Sequence, residues 1–167
     1  MSDTAGNRGK VAVLTFCGLG LAPVAPGTFG TLGGVLLAIP IVLIPGVPGW
    51  LGLLAAAALA VALGVALGGF AERHFDCKDP GQVVIDEVAG YLVTVAAWDL
   101  AFGRPLTFAG HCAAFLLFRA ADILKPPPGR WLEQLPGGWG VMLDDVVLAL
   151  YSGAALCGLG WLGFTWL

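Results

Sequence analysis

Hydrophobic residues in this 167-residue chain fall into five runs, at positions 28–44, 49–71, 86–98, 106–124 and 146–167. A bilayer-crossing helix needs about 20 consecutive apolar residues. Runs 49–71 and 146–167 reach that length. No charge occurs between Val11 and Ala71, a stretch too long for one span and suited to a helical hairpin. Pro40, Pro45 and Pro48 fit a kink and a tight turn between its two arms. The run at 86–98 has a purely apolar core only from Val88 to Trp98, so its ends must lie at an interface or inside protein. The Ala- and Gly-rich stretch 49–69 suits close helix approach, because small residues let backbones meet. The pattern predicts an all-α, polytopic membrane helical bundle of about five helices, with residues 1–167 forming a single membrane-embedded domain.

Threading the five runs alternately puts the N-terminus and the loops at 72–85 and 125–143 on one side. Arg8, Lys10, Arg73, Lys78, Arg119, Lys125 and Arg130 fall there, and Arg104 falls opposite. Positive loops stay in the cytoplasm, so the shared side is expected to be cytoplasmic. Trp50, Trp98, Trp161 and Trp166 would then form an aromatic belt at the other interface. Composition agrees: 58% of residues are apolar and 11% charged, against about 25% charged in soluble domains. The net charge of −3 says little about partners, and no basic patch interleaved with aromatics points to nucleic acid. The short polar segment 1–10 leads into apolar sequence without an A-x-A cleavage site, which reads as an uncleaved membrane protein. Cys17, Cys77, Cys112 and Cys157 form no CxxC or zinc spacing and are expected to pack as small apolar residues.

The few charges carry the chemistry. Asp86-Glu87 and Asp144-Asp145 are adjacent acid pairs, each opening an apolar run. One pair alone is an ordinary helix start, favoured by the macrodipole. Two pairs at helix mouths on the same side point instead to a cation site, since Mg²⁺ prefers a few carboxylates with water and phosphate. Gly137, Gly138 and Gly140 before the second pair permit close backbone approach. Arg119 and Asp122, three apart at a helix end, form either an ion pair or a phosphate-gripping Arg with its orienting acid. Lys125 is a second candidate phosphate contact. Gly27 and Thr28 sit in Pro26-Gly27-Thr28, where Thr28 is read as an N-cap and free N–H groups could take an anion. His74 is read as a loop or interface residue and His111 as hydrogen-bonded within the bundle. No Cys-x5-Arg, Asp-x-Asp or Gly-x-Ser-x-Gly nucleophile motif is present. The remaining phosphatase chemistry is water activated by a metal on carboxylates.

Four stretches together resemble the bacterial phosphatidylglycerophosphatase A family: Pro26-Gly27-Thr28 with Gly30, Asp79-Pro80 through Asp86-Glu87 to Gly90, Phe118-Arg119 through Asp122 to Lys125-Pro126, and Gly137-Gly138 through Gly140 to Asp144-Asp145. Gly129 and Val141 depart from the family pattern at uncharged positions. The resemblance implies a Mg²⁺-dependent integral enzyme of the bacterial cytoplasmic (inner) membrane, with its site facing the cytoplasm. It would convert phosphatidylglycerophosphate to phosphatidylglycerol. Asp86, Glu87, Asp144 and Asp145 would hold metal, with Asp122 a further ligand. Arg119 and Lys125, with Gly27 and Thr28, would hold the phosphate. The alternatives are a phosphatase of another lipid phosphate or prenyl pyrophosphate, a carboxylate-lined cation or proton pathway, and a non-catalytic lipid scaffold. A pathway needs polar residues at mid-membrane, and the two strongest runs offer only Tyr151, Ser152 and Thr165. Glycines at 64–69 and 158–163 leave packing within the chain or homo-oligomerisation open.

Overall fold

A computed structural model describes residues 4–164 and 166–167; Thr165, and the start of the polar N-terminal segment, lie outside the described residues. The chain forms α1 (Thr4–Leu14), a 3₁₀ turn (Leu19–Leu21), α2 (Pro26–Val42), α3 (Gly49–Phe75), α4 (Ile85–Phe102), α5 (Phe108–Leu124), α6 (Gly129–Leu132) and α7 (Gly138–Trp161). There is no strand among the described residues. The five expected helices are α2, α3, α4, α5 and α7. Helices α1 and α6 are additional. Neither contains a long apolar run: α1 alternates Asn7, Arg8 and Lys10 with aliphatics, and α6 is a single turn.

Helix α7 begins eight residues before the expected run, so Asp144 and Asp145 lie about two turns into it and not at its mouth. The early start is made by packing. A Cβ on Gly68 would sit 2.4 Å from Gly138 Cα, so α3 and α7 touch backbone to backbone there. Gly64 admits Met142 of α7 in the same way, and Gly160 admits Trp98. These glycines are thus used within the chain.

Helix α4 is the central element and packs on α2, α3, α5 and α7. Its short apolar core is explained by this position, since a helix apolar on all sides belongs inside. The outer surface is the inverse of a soluble protein's. Leu36, Leu59, Leu100, Leu116 and Leu150 are each at least 60% exposed. Helices α3 and α7 are long and apolar enough to cross a bilayer. At 27 residues α3 is about 40 Å long, against about 30 Å of hydrocarbon.

Polar groups in the middle of the bundle are paired with one another. Thr94 Oγ1 and Ser152 Oγ are 2.7 Å apart, and Tyr91 Oη lies 2.8 Å from His111 Nδ1, the bundle bond expected of His111. At the end away from the acid pairs, the Trp50 N–H donates to Asp99 Oδ2 at 2.6 Å, so an acid of α4 caps α3. Two expectations are corrected here. Trp98 is fully buried against Phe102 and beneath Arg104, because Gly160 leaves it room; of the four tryptophans expected in the belt, Trp161 and Trp166 are the well-exposed ones. Of the four cysteines only Cys157 is buried; Cys17, Cys77 and Cys112 are exposed. In a bundle with an apolar exterior, a small apolar side chain carries no burial signal.

Candidate active site

The site lies where the N-termini of α2, α4 and α7 meet the C-terminus of α5. Val84 precedes α4, and its N–H donates to Leu14 O of α1 at 2.9 Å, which fixes where α4 begins. Asp86 and Glu87 then occupy the first turn, as expected. From α7, Asp145 reaches the same point. One carboxylate oxygen from each of Asp86, Glu87 and Asp145 lies within 4.8 Å of the others. Gly90 lets these helices close up: a Cβ there would meet the Phe118 ring at 2.5 Å and Asp145 O at 3.1 Å.

Arg119 borders the cluster. Its Nη1 lies 3.7 Å from Glu87 Oε1 and 2.6 Å from Asp122 Oδ2. The intrahelical pair and the site arrangement considered for Arg119 and Asp122 are therefore one geometry. Helix α2 closes the cluster from the side. A Cβ on Gly27 would fall 2.2 Å from Glu87 Oε1 and 2.9 Å from Arg119 Nη1. Thr28, however, is not the N-cap. Helix α2 starts at Pro26, whose fixed φ suits the first helical position. The Thr28 N–H already donates to Ala25 O at 2.9 Å, so it is not free for an anion.

Asp144 stands apart from the three-acid cluster. Its Oδ2 accepts from Lys125 Nζ at 3.0 Å. Lys125 also pairs with Glu133, which follows α6. Burial would lower the Lys125 pKa, but Glu133 and Asp144 more than offset it and hold the ammonium above the usual lysine range. Lys125 itself sits at φ 44°, ending α5 one residue before Pro126. Glu133 was missed by sequence reasoning. It is eight residues from Lys125, and only the turn through α6 brings them together. His74 lies in the last turn of α3, against Phe70 and Phe75, and so is in a helix end and not in a loop.

Several buried atoms here have no hydrogen-bond partner: Asp86 Oδ1, Glu87 Oε2, Asp144 Oδ1 and Arg119 Nε. Unsatisfied buried polar groups are rare in native proteins and call for an explanation. Bare carboxylate oxygens on clustered acids such as Asp86 and Glu87 suit a hard divalent cation, and a bare guanidinium N–H suits an anion. The residues present therefore fit Mg²⁺ and a phosphate.

The sequence signature described as Phosphatidylglycerophosphatase A matches residues 12–160. A Haemophilus influenzae protein named Phosphatidylglycerophosphatase A is 38% identical over 136 residues, covering 81% of this chain and 78% of that protein. The Escherichia coli K12 protein of the same name is 30% identical over 144 residues, covering 86% and 78%. A Bacteroides thetaiotaomicron protein, provisionally named a phosphatidylinositol-3-phosphatase, is 35% identical over 144 residues, covering 85% and 87%. No solved structure matches the chain at a significant level.

Proposed function

Because the chain belongs to the phosphatidylglycerophosphatase A family, we propose that this lipid phosphatase hydrolyses the terminal phosphomonoester of phosphatidylglycerophosphate in a Mg²⁺-dependent reaction. The observation that carries the metal reading is the convergence of Asp86, Glu87 and Asp145 oxygens within 4.8 Å, two of these acids carrying unpaired buried oxygens. Asp86, Glu87 and Asp145 would hold the ion. A divalent ion in such a site polarises phosphoryl oxygens and makes water a better nucleophile.

The protein groups have separable tasks. Arg119 binds the phosphoryl oxygens, and Asp122 holds its guanidinium in place. Gly27 keeps α2 close enough to confine that phosphate without displacing Glu87. Lys125 anchors Asp144 through one oxygen, leaving Asp144 Oδ1 free to take a proton from the attacking water. Positive charge on Arg119 and Lys125 offsets the charge that develops on the phosphoryl group. Thr28, with its N–H engaged, has no backbone contact to offer. The site end carries Arg8, Lys10, Arg73, Lys78 and Arg130 and is assigned to the cytoplasmic face.

The similarity to a protein named for a phosphoinositide phosphatase favours one second reading, another lipid phosphomonoester as substrate. Phosphate release by purified protein from phosphatidylglycerophosphate and from phosphatidylinositol 3-phosphate, with Mg²⁺ and with chelator, decides between them. We expect chelator-sensitive release from the first lipid, and a loss of at least about 100-fold in Asp145→Asn with the fold retained. Equal activity with chelator, or in Asp145→Asn, would remove the metal reading.

A further inference from the structure

We propose that the groove between α2 and α5 holds one acyl chain of the lipid whose phosphate enters the site, an inference that rests on the lipid-phosphatase reading. The groove has a volume of about 810 Å³, within the roughly 300–1,000 Å³ of small-ligand sites. Its walls are Leu32, Val35 and Ile39 of α2 and Cys112, Phe115 and Leu116 of α5. His111 also borders it, with Nδ1 committed to Tyr91 Oη.

Position and direction identify the occupant. Leu32 follows Gly27 by five residues, or about 8 Å of helix, and Phe115 precedes Arg119 by four residues, or about 6 Å. The groove therefore begins just below the guanidinium and runs away from it. It continues along α2 to Leu43, eleven residues or about 16 Å farther on. One flank is open sideways, since Leu36 and Leu116 are 64% and 66% exposed. A guanidinium contiguous with a long, laterally open apolar slot matches a lipid phosphate with its tail along the slot.

Energetics define what the groove contributes. Lipid tails are as apolar as leucine, so moving a chain from bilayer to groove gains little hydrophobic free energy. The gain is positional: a seated chain fixes the depth of the phosphate relative to Arg119 and the carboxylates, and orientation is where catalytic rate is won or lost.

The test uses Val35→Trp and Cys112→Trp, which fill the slot from opposite walls, and Leu100→Trp, which places the same side chain on an exposed surface of α4. Each is assayed on phosphatidylglycerophosphate bearing two long acyl chains and on the same headgroup bearing two four-carbon chains. We expect about a tenfold loss of kcat/KM on the long-chain lipid in both groove variants. Short-chain turnover should stay near wild type, and Leu100→Trp should match wild type on both. Unchanged long-chain turnover in both groove variants would overturn the proposal. So would equal loss on both substrates, or a Cys112–Cys112 crosslink between two copies in vesicles, which would make the groove a subunit interface. A binding readout separates this from the activity assignment. Phosphatidylglycerol with a photoreactive tail should label α2 and α5 peptides in wild type and lose that labelling in Val35→Trp. Failure of wild type to release phosphate would sink the function and leave the labelling result standing; absence of that labelling would sink the groove.

Discussion

Replacing Gly27 with alanine tests the site where the structure leaves no slack. The added Cβ would lie 2.2 Å from Glu87 Oε1, 2.9 Å from Arg119 Nη1 and 3.1 Å from Arg119 Nη2. Ordinary contact starts near 3.4 Å, so the Glu87 carboxylate must retreat by about 1.2 Å and the guanidinium by less. All three atoms end flexible side chains, so the displacement falls on the site and not on the backbone. Gly27 is the second residue of α2, so alanine there brings the helix only part of the roughly 1 kcal/mol it is favoured by over glycine in a helix interior, and does not weaken it. A misplacement near 1 Å can cost about 100-fold in rate, or roughly 2.7 kcal/mol of barrier. Gly27→Ala should therefore lose about 100-fold in phosphate release from long-chain lipid while melting in detergent no lower than wild type. Gly81→Ala, where a Cβ meets nothing within 4 Å, is the matched control and should retain full activity. Activity of Gly27→Ala close to wild type would refute the claim that Glu87 and Arg119 act from the positions seen here.

Two further outcomes are expected. Glu133→Gln leaves Lys125 with Asp144 alone, and because Glu133 is a third exposed the effect should be small, about two- to fivefold in kcat with the metal requirement unchanged. Its stability effect has a sign in pH. The pairing raises the Lys125 pKa, so it stabilises the fold fully below the ordinary lysine value near 10.4 and is lost as pH rises through the raised value. Melting curves of wild type and Glu133→Gln should thus differ at neutral pH and converge in strong alkali; a constant gap would remove the charge pairing as the cause. Cys77 is exposed between α3 and α4, at the site end. A membrane-impermeant maleimide should label it in inside-out vesicles and spare it in right-side-out ones, and the reverse would place the site on the outer face.

The bundle was legible because its signals are long. Five apolar runs became five helices, and the charge asymmetry put Asp86, Glu87, Arg119, Asp122, Lys125, Asp144 and Asp145 at one end. Asp86 and Glu87 sat in a first turn as the pattern implied. What stayed hidden depends on neighbours distant in sequence. Helix α7 extends back to Gly138 because Gly68 of α3 accepts it, and no local pattern in 138–145 records that contact. Asp144 and Asp145 look equivalent in the sequence, yet one turns to Lys125 and the other to Asp86 and Glu87, since adjacent helical residues point about 100° apart. Trp98 reads as an interfacial anchor until Gly160 is seen to make room for it. Asp99 carried no motif because its partner is the backbone of α3.

The charge balance of the site explains why the fold keeps so many acids beside hydrocarbon. Asp79, Asp86, Glu87, Asp122, Glu133, Asp144 and Asp145 stand here against Lys78, Arg119 and Lys125, a formal excess of four negative charges. A phosphomonoester brings about two more, so the protein groups alone would repel the substrate. Both surplus charges and unpaired oxygens concentrate on Asp86 and Glu87, beside Asp145, where a divalent cation would reverse the local field. Arg119 lies at the edge of that cluster, between the acids and the apolar slot, with Nε unpaired. An anion held there would be gripped by the guanidinium, beside the acids that would hold the cation. The middle of the bundle has no comparable arrangement among the described residues: Thr94 and Ser152 satisfy each other. Such charge placement has little use for conducting ions across the bundle and suits a reaction carried out at one membrane surface.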